Sequence, residues 1–290
     1  MHDPRLFLIP ANSLLDRLKN LLPFTASASV PAGTVLRWRV SGGRRGFYAA
    51  HLLTPTQLSE LQCIDRQKQL LDRNTRQFLA GLPANHALLW GPRGTGKSSL
   101  VRALLNHYQG QGLRLVEVAQ ENLADLQDIC LALVAATGRF LLFCDDLSFA
   151  ADDDRYRALK SIVDGSASGL PDNVLIYATS NRRHLIPEYM QENLDSRLQD
   201  GELHLSEAVE EKLSLSERFG IWVAFHPFTQ DQYLEIVSFW VRQLAPQADS
   251  TNESMERAAL QWALERGSRS GRSAWQFARD WTGRRQLDAP

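Results

Sequence analysis

The spacing of apolar and polar positions changes period several times along the chain. Residues 12–22, NSLLDRLKNLL, place Leu14, Leu15, Leu18, Leu21 and Leu22 on one face of a helix. Such a stripe suits packing onto the body of the protein; a partner or membrane surface is its other use. ASASVPAGT (26–34) reads as a linker, VLRWRV (35–40) as a strand and GGRRG (42–46) as a turn. A helical pattern then covers 54–81, with Leu70, Leu71, Phe78 and Leu79 among its apolar positions. From there strands and helices alternate. HALLW (86–90), LRLVEV (113–118), RFLLFCDD (139–146), NVLIYATSN (173–181) and IWVAFHP (221–227) read as strands. SSLVRALLNHY, LADLQDICLALVAA and DDRYRALKSIVDG read as the helices between them. After Pro227 the pattern is helical throughout, with capping boxes at Thr229/Gln232 and Ser250/Glu253. Strands alternating with helices predict an α/β fold with a parallel sheet of about five strands, covered on both faces. The division expected is an N-terminal arm (1–52), an α/β body (53–228) and an all-helical lid (229–290).

Composition narrows the classes. The 290 residues are 44% hydrophobic, enough for a substantial core, and the net charge of −1 makes no case for nucleic acid or membranes. Cys63, Cys130 and Cys144 are scattered in apolar contexts, as expected of buried thiols in a reducing cytosol. No run of 18 apolar residues predicts a membrane span, and MHDPRLFLIP lacks the features of a signal peptide, so a cytoplasmic location is expected. The histidines and cysteines show no zinc-ligand spacing, and no G-x-S-x-G elbow is present. Arg37, Arg39, Arg44 and Arg45 flank Trp38; a solvated edge is the simpler reading, a phosphate-binding patch the other.

One turn carries the clearest chemistry. In LLWGPRGTGKSSLVRALL, Gly91, Gly96, Lys97 and Ser98 match G-x-x-x-x-G-K-[ST] between a strand and a helix, so Gly91, Pro92, Arg93, Gly94, Thr95, Gly96, Lys97, Ser98 and Ser99 form a candidate nucleotide cradle. A triphosphate needs several backbone N–H groups aimed at one point, and Gly94 and Gly96 can adopt the angles that requires. The helix opening near Lys97 adds its positive end. Lys97 is expected to reach the β- and γ-phosphates of ATP, and Ser98 to give its hydroxyl to Mg²⁺. The strand FLLFC ends in Asp145 and Asp146, a Walker B arrangement at the edge that faces ligands in open α/β sheets. Asp145 suits the Mg²⁺ shell, and Asp146 suits orienting the attacking water. Asp146 is one methylene shorter than the glutamate frequent at that place, which bears on rate more than on binding. The next strand ends in Asn181, whose amide can meet the γ-phosphate or that water.

Together, P-loop, acidic strand end, strand ending in Asn and helical tail resemble the AAA+ ATPases over about residues 58–285. IDRQKQLLDRNTRQFLAGLPANHALLWGPRGTGKSSLVRALL, FCDDLSF, ATSNRRHLIPEYM and EAVEEKLSLSERFGIWVAFHPF are similar to a bacterial family of single-domain AAA+ proteins catalogued as a domain of unknown function. The resemblance implies that Asn181 is sensor 1, Arg218 in LSERFG an arginine finger, and Arg272 in SGRSAWQF sensor 2, with Arg269 the alternative. It also implies that Leu61 to Asp65 line the adenine pocket. The acidic stretch at about 184–215, with Glu188, Glu192, Asp195, Asp200, Glu202, Glu207, Glu210 and Glu211, reads as a solvated insertion or a protein-docking element. The function expected is a Mg²⁺-dependent ATPase working as a homo-oligomer, ring or spiral, that remodels or loads a protein or nucleic-acid client. An ATP-gated adaptor with negligible turnover is the alternative. A small-molecule kinase is a weaker one, opposed by Asn181, the aspartate pair and the helical tail.

Overall fold

The computed structural model describes residues 30–41, 44–50, 56–149, 153–164, 170–181, 197–199, 202–204, 218–246 and 253–287. The amphipathic stretch at 12–22, Ser250 of the second capping box and most of the acidic stretch lie outside them. Strands are β1 (Val35–Ser41), β2 (Arg44–Ala50), β3 (Ala87–Trp90), β4 (Leu113–Val118), β5 (Arg139–Cys144), β6 (Val174–Ser180), β7 (Arg197–Gln199), β8 (Glu202–His204) and β9 (Ile221–Ala224). Helices are α1 (Asp65–Leu79), α2 (Lys97–Tyr108), α3 (Leu126–Val134), α4 (Asp154–Val163), α5 (Gln230–Leu244), α6 (Glu253–Glu265) and α7 (Gly271–Leu287).

The main sheet has seven strands in the order β2-β1-β4-β5-β6-β3-β9. All neighbours are parallel except β1 and β2, which form an antiparallel hairpin. The mixed α/β fold is as expected, but the count of about five is corrected to seven. The two additional strands are the 35–50 hairpin, which adds to the free edge of β4 through the pairing Val35↔Leu115. Leu36 and Trp38 turn inward and Arg37 and Arg39 outward, the period of a strand buried on one face. Trp38 anchors the hairpin: its ring meets Phe47 edge-on at 5.0 Å and its Nε1 donates to the buried Asp125 at 2.9 Å. Three of the flanking arginines are engaged. Arg37 pairs with Glu117, Arg45 with Asp125 and Asp128, and Arg39 lies over the Tyr48 ring. In the stretch read as an acidic insertion, β7 and β8 form a separate antiparallel pair.

Central strands read as continuous apolar runs because both sheet faces are covered. Leu115, Leu141, Phe143, Leu175 and Leu89 face one core with α1, α2 and the C-terminal helices. Val116, Leu142, Cys144, Ile176 and Leu88 face the other, with α3 and α4. Tyr177 carries polar groups into the first core: its hydroxyl accepts from Asn74 Nδ2 at 3.0 Å and shares a hydrogen bond with Thr75 at 2.9 Å. Beyond β9 the chain is helical among the described residues, and the Thr229/Gln232 capping box opens α5 with both reciprocal bonds made.

Candidate nucleotide site

The loop between β3 and α2 is shaped by its glycines. Gly91, Gly94 and Gly96 have φ of +138°, +78° and +101°. A Cβ on Gly91 would stand 2.0 Å from the Phe225 carbonyl oxygen, so only glycine lets β3 leave the sheet beside the end of β9. Thr95 Oγ1 closes the turn by donating to the Pro92 carbonyl at 2.9 Å. Lys97 opens α2, with Ser98 and Ser99 following in its first turn. Its Nζ folds back to donate to the carbonyls of Gly91 (2.6 Å) and Pro92 (2.8 Å) and to Asn181 Oδ1 (3.2 Å). Burial lowers the Lys97 pKa from the ordinary lysine value; Asp146 and Asp145 pull it up, while Arg93 and Arg272 push it down.

Across from the loop, β5 ends at Cys144 and the next two residues carry the acids. Asp145 Oδ1 accepts from Ser98 Oγ and from Thr179 Oγ1, each at 2.6 Å. Asp146 takes a left-handed backbone, φ +56°, which aspartate tolerates better than most residues. Two bonds to β6 pin that turn: Asp146 N to Thr179 Oγ1 at 2.8 Å and Leu147 N to the Thr179 carbonyl at 2.7 Å. Asn181 Nδ2 donates to Asp146 Oδ1, and Arg93 pairs with Asp146 Oδ2 at 3.3 Å. Thus P-loop, Asp145, Asp146 and Asn181 meet at the carboxyl ends of β3, β5 and β6. Thr179 and Arg93 belong to that cluster as well. The role of Thr179 escapes a motif search, although its spacing of two from Asn181 puts both on one face of the strand end.

The C-terminal helices close over the loop. Gly271 N donates to the Gly94 carbonyl at 2.9 Å, and a Cβ on Gly94 would lie 2.9 Å from Ser270 and 3.4 Å from the Arg272 Cβ. Arg272, in the first turn of α7, is therefore at the P-loop; Arg269 precedes the helix and is exposed. Ile64 is buried and would meet a Cβ on Gly96 at 3.4 Å, and Cys63 Sγ lies 3.8 Å from the Gln232 carbonyl of α5. Residues 61–65 thus run between the β3–α2 loop and α5, and the resemblance implies that they line an adenine pocket. Burial and Glu235 push the Cys63 thiol up to about 12, which keeps it protonated and unreactive.

Arg218 is not brought to this site. It precedes β9 at the amino ends of the strands and pairs with Asp164 at 2.5 Å, with its side chain 41% exposed. Register fixes the separation, because Ala87 pairs with Ile221 and Trp90 with Ala224, so Arg218 and the P-loop lie at opposite ends of β3 and β9.

The donor set fits Mg²⁺ and a triphosphate. A hydroxyl and a carboxylate converge, both hard oxygen donors, beside a buried lysine and a loop whose glycines leave room for phosphate. Among the described residues no helix is long and apolar enough to cross a membrane.

Known proteins agree with this architecture. The model of the family described as "Protein of unknown function (DUF815)" matches residues 32–285. No curated protein matches the chain. Among solved structures, a point mutant of RuvB from Thermotoga maritima superposes with a TM-score of 0.50 at 16% identity, over 78% of this chain and 64% of that one. The Aeropyrum pernix ORC1 protein in complex with DNA superposes with a TM-score of 0.51 at 14% identity, over 78% of this chain and 61% of that one. The chain therefore spans less than two thirds of each of these two solved chains. A family match over most of the chain, joined to this sheet order and this superposition, makes the protein a member of the DUF815 family with the AAA+ fold.

Proposed function

We propose that this chain is an AAA+ ATPase that binds Mg²⁺-ATP on the P-loop and hydrolyses it to ADP and phosphate. The observation that carries this reading is the meeting of Ser98, Asp145 and Thr179 on one side of the site with Asp146 and Asn181 on the other. Backbone N–H groups of residues 91–99 cradle the phosphates, and Lys97 moves its donors from loop carbonyls to phosphate oxygens. Ser98 and Asp145 hold Mg²⁺, which supplies positive charge to the phosphate oxygens when bound. Asp146 orients the attacking water and accepts its hydrogen bond, with Asn181 fixing the carboxylate. Arg272 senses the nucleotide from the lid (229–290), and Arg218 serves the site of an adjacent subunit in a homo-oligomeric ring or spiral. The body 53–228 is the catalytic unit, coupled to remodelling or loading of a protein or nucleic-acid client. Two buried thiols, Cys130 and Cys144, suit a reducing, cytoplasmic setting.

A second reading, an ATP-gated adaptor with negligible turnover, is favoured by the Arg93–Asp146 pair, which leaves both oxygens of the shorter acid engaged. Steady-state phosphate release separates the two. On the ATPase reading, wild-type protein turns over and Asp146→Asn retains ATP while losing at least about tenfold in rate. Lys97→Ala weakens a fluorescent ATP analogue more than tenfold, the order expected when a charge partner of phosphate is removed. No turnover with intact, Lys97-dependent ATP binding selects the adaptor; unchanged binding in Lys97→Ala rejects both.

A further inference from the structure

The β1–β2 hairpin is tied to the Mg²⁺ side of the nucleotide site by a chain of charges. Arg102 lies one helical turn beyond Ser98 on α2. Its Nη2 stands 3.7 Å from Asp145 Oδ2 and 3.7 Å from Glu117 Oε1. Glu117, on β4, accepts on its other oxygen from Arg37 Nε of β1 at 2.7 Å. These side chains border a cleft of about 330 Å³ that Trp38 and Phe143 also line. Asp145 Oδ1 is already taken by Ser98 and Thr179, so Oδ2 is the oxygen that faces the guanidinium.

A cation beside a metal-holding carboxylate opposes a divalent ion, unless another anion balances it. Glu117 faces the same guanidinium at the same distance, and its side chain is 15% exposed against 39% for Asp145, so solvent screens it less. We infer that Glu117 is a positioning residue that shares Arg102 with Asp145 and so limits its hold on Asp145, and that the hairpin, through Arg37, thereby sets the Mg²⁺ affinity of the nucleotide site. This rests on the Mg²⁺-ATP reading above. Without the Glu117 charge, Arg102 swings onto Asp145 and competes with the metal. Without Arg37, Glu117 is freer to leave Arg102.

The test is Mg²⁺ titration of N-methylanthraniloyl-ATP binding to the full chain, read by fluorescence without turnover. Glu117→Gln raises the Mg²⁺ concentration for half-maximal binding by about fivefold, the scale of a partly screened charge pair. Affinity for the analogue in excess chelator stays unchanged. Arg102→Gln does not raise the Mg²⁺ requirement, and the Glu117→Gln/Arg102→Gln double variant returns it to the wild-type range. Arg37→Gln shifts it in the same direction as Glu117→Gln by less, and Arg37→Lys restores part of the shift. A purely structural role instead lowers Tm and leaves the Mg²⁺ midpoint in place. The inference is overturned if Glu117→Gln leaves the midpoint unmoved or if the double variant keeps the raised value. Mg²⁺-dependent binding that behaves as described, without hydrolysis, supports the inference while rejecting the ATPase reading. Wild-type binding that ignores Mg²⁺ overturns both.

Discussion

His86 shows how one side chain makes stability depend on pH. It sits just before β3, and its Nδ1 accepts the backbone N–H of Ile176 at 3.2 Å. Burial lowers its pKa from 6.5 to about 4, because the charged ring is poorly solvated there. A protonated ring also loses its acceptor, so protonation opposes the fold. The unfolded chain binds this proton below pH 6.5 and the folded chain only near pH 4, so the contribution is complete above 6.5 and is lost as pH falls toward 4. His86 is only half-buried, so the expected loss is about 2 kcal/mol. His86→Asn keeps an acceptor in the same place and removes the titration. Urea unfolding at pH 7 and pH 5 should show a smaller fall for this variant than for the wild type; equal falls would assign the effect elsewhere.

At the scale of elements, the P-loop is shaped by two neighbours. Gly91 answers to the sheet, since its missing Cβ makes room for the Phe225 carbonyl, whereas a Cβ on Gly96 meets only the tip of Ile64 at 3.4 Å. Gly91→Ala should cost about 3 kcal/mol or more in nucleotide-free protein, from backbone collision joined to the positive φ. Gly96→Ala should cost about 1–2 kcal/mol, the strain of a left-handed alanine. Chemical denaturation without nucleotide measures both, and equal losses would contradict the division. The same contrast explains what the sequence discloses. A phosphate cradle demands particular residues at fixed spacing, so Gly91 to Ser99 are readable as a motif, and β3, β5 and β6 are readable because burial on both faces makes them apolar runs. The β1–β2 hairpin has one polar face and long-range partners, so its strand pattern at 35–40 is visible while its place beside β4 is not. Thr179 is hidden for a related reason: its role depends on Asp145 across the sheet, which no local spacing encodes.

For the molecule as a whole, the placement of Arg218 is decisive. The register of β3 with β9 puts about 10 Å of strand between its level and the P-loop. Its ion pair with Asp164 is partly exposed and worth at most about 1 kcal/mol, so redirecting Arg218 to another subunit is not costly. Arg218→Ala is expected to bind ATP as the wild type does and to hydrolyse it on the order of 10³-fold more slowly, the scale of such arginines in other nucleotidases. Mixing it with Lys97→Ala should restore part of the activity, because each Lys97→Ala subunit still offers Arg218 to an intact neighbour. Turnover per subunit should also rise with protein concentration. Flat specific activity from a chain that stays monomeric, or no recovery on mixing, would remove the inter-subunit role.

The hydrogen bond from Gly271 to the Gly94 carbonyl joins the β3–α2 loop to the first residue of α7. At 17 residues that helix is about 25 Å long. Held at one end by the glycine-rich turn, it can act as a lever. A tilt of about 10° at Gly271 would carry Leu287 through about 4 Å. Because Trp275 of α7 meets Trp240 of α5 at 4.5 Å and Phe277 is buried in the core, α5 would have to travel with it.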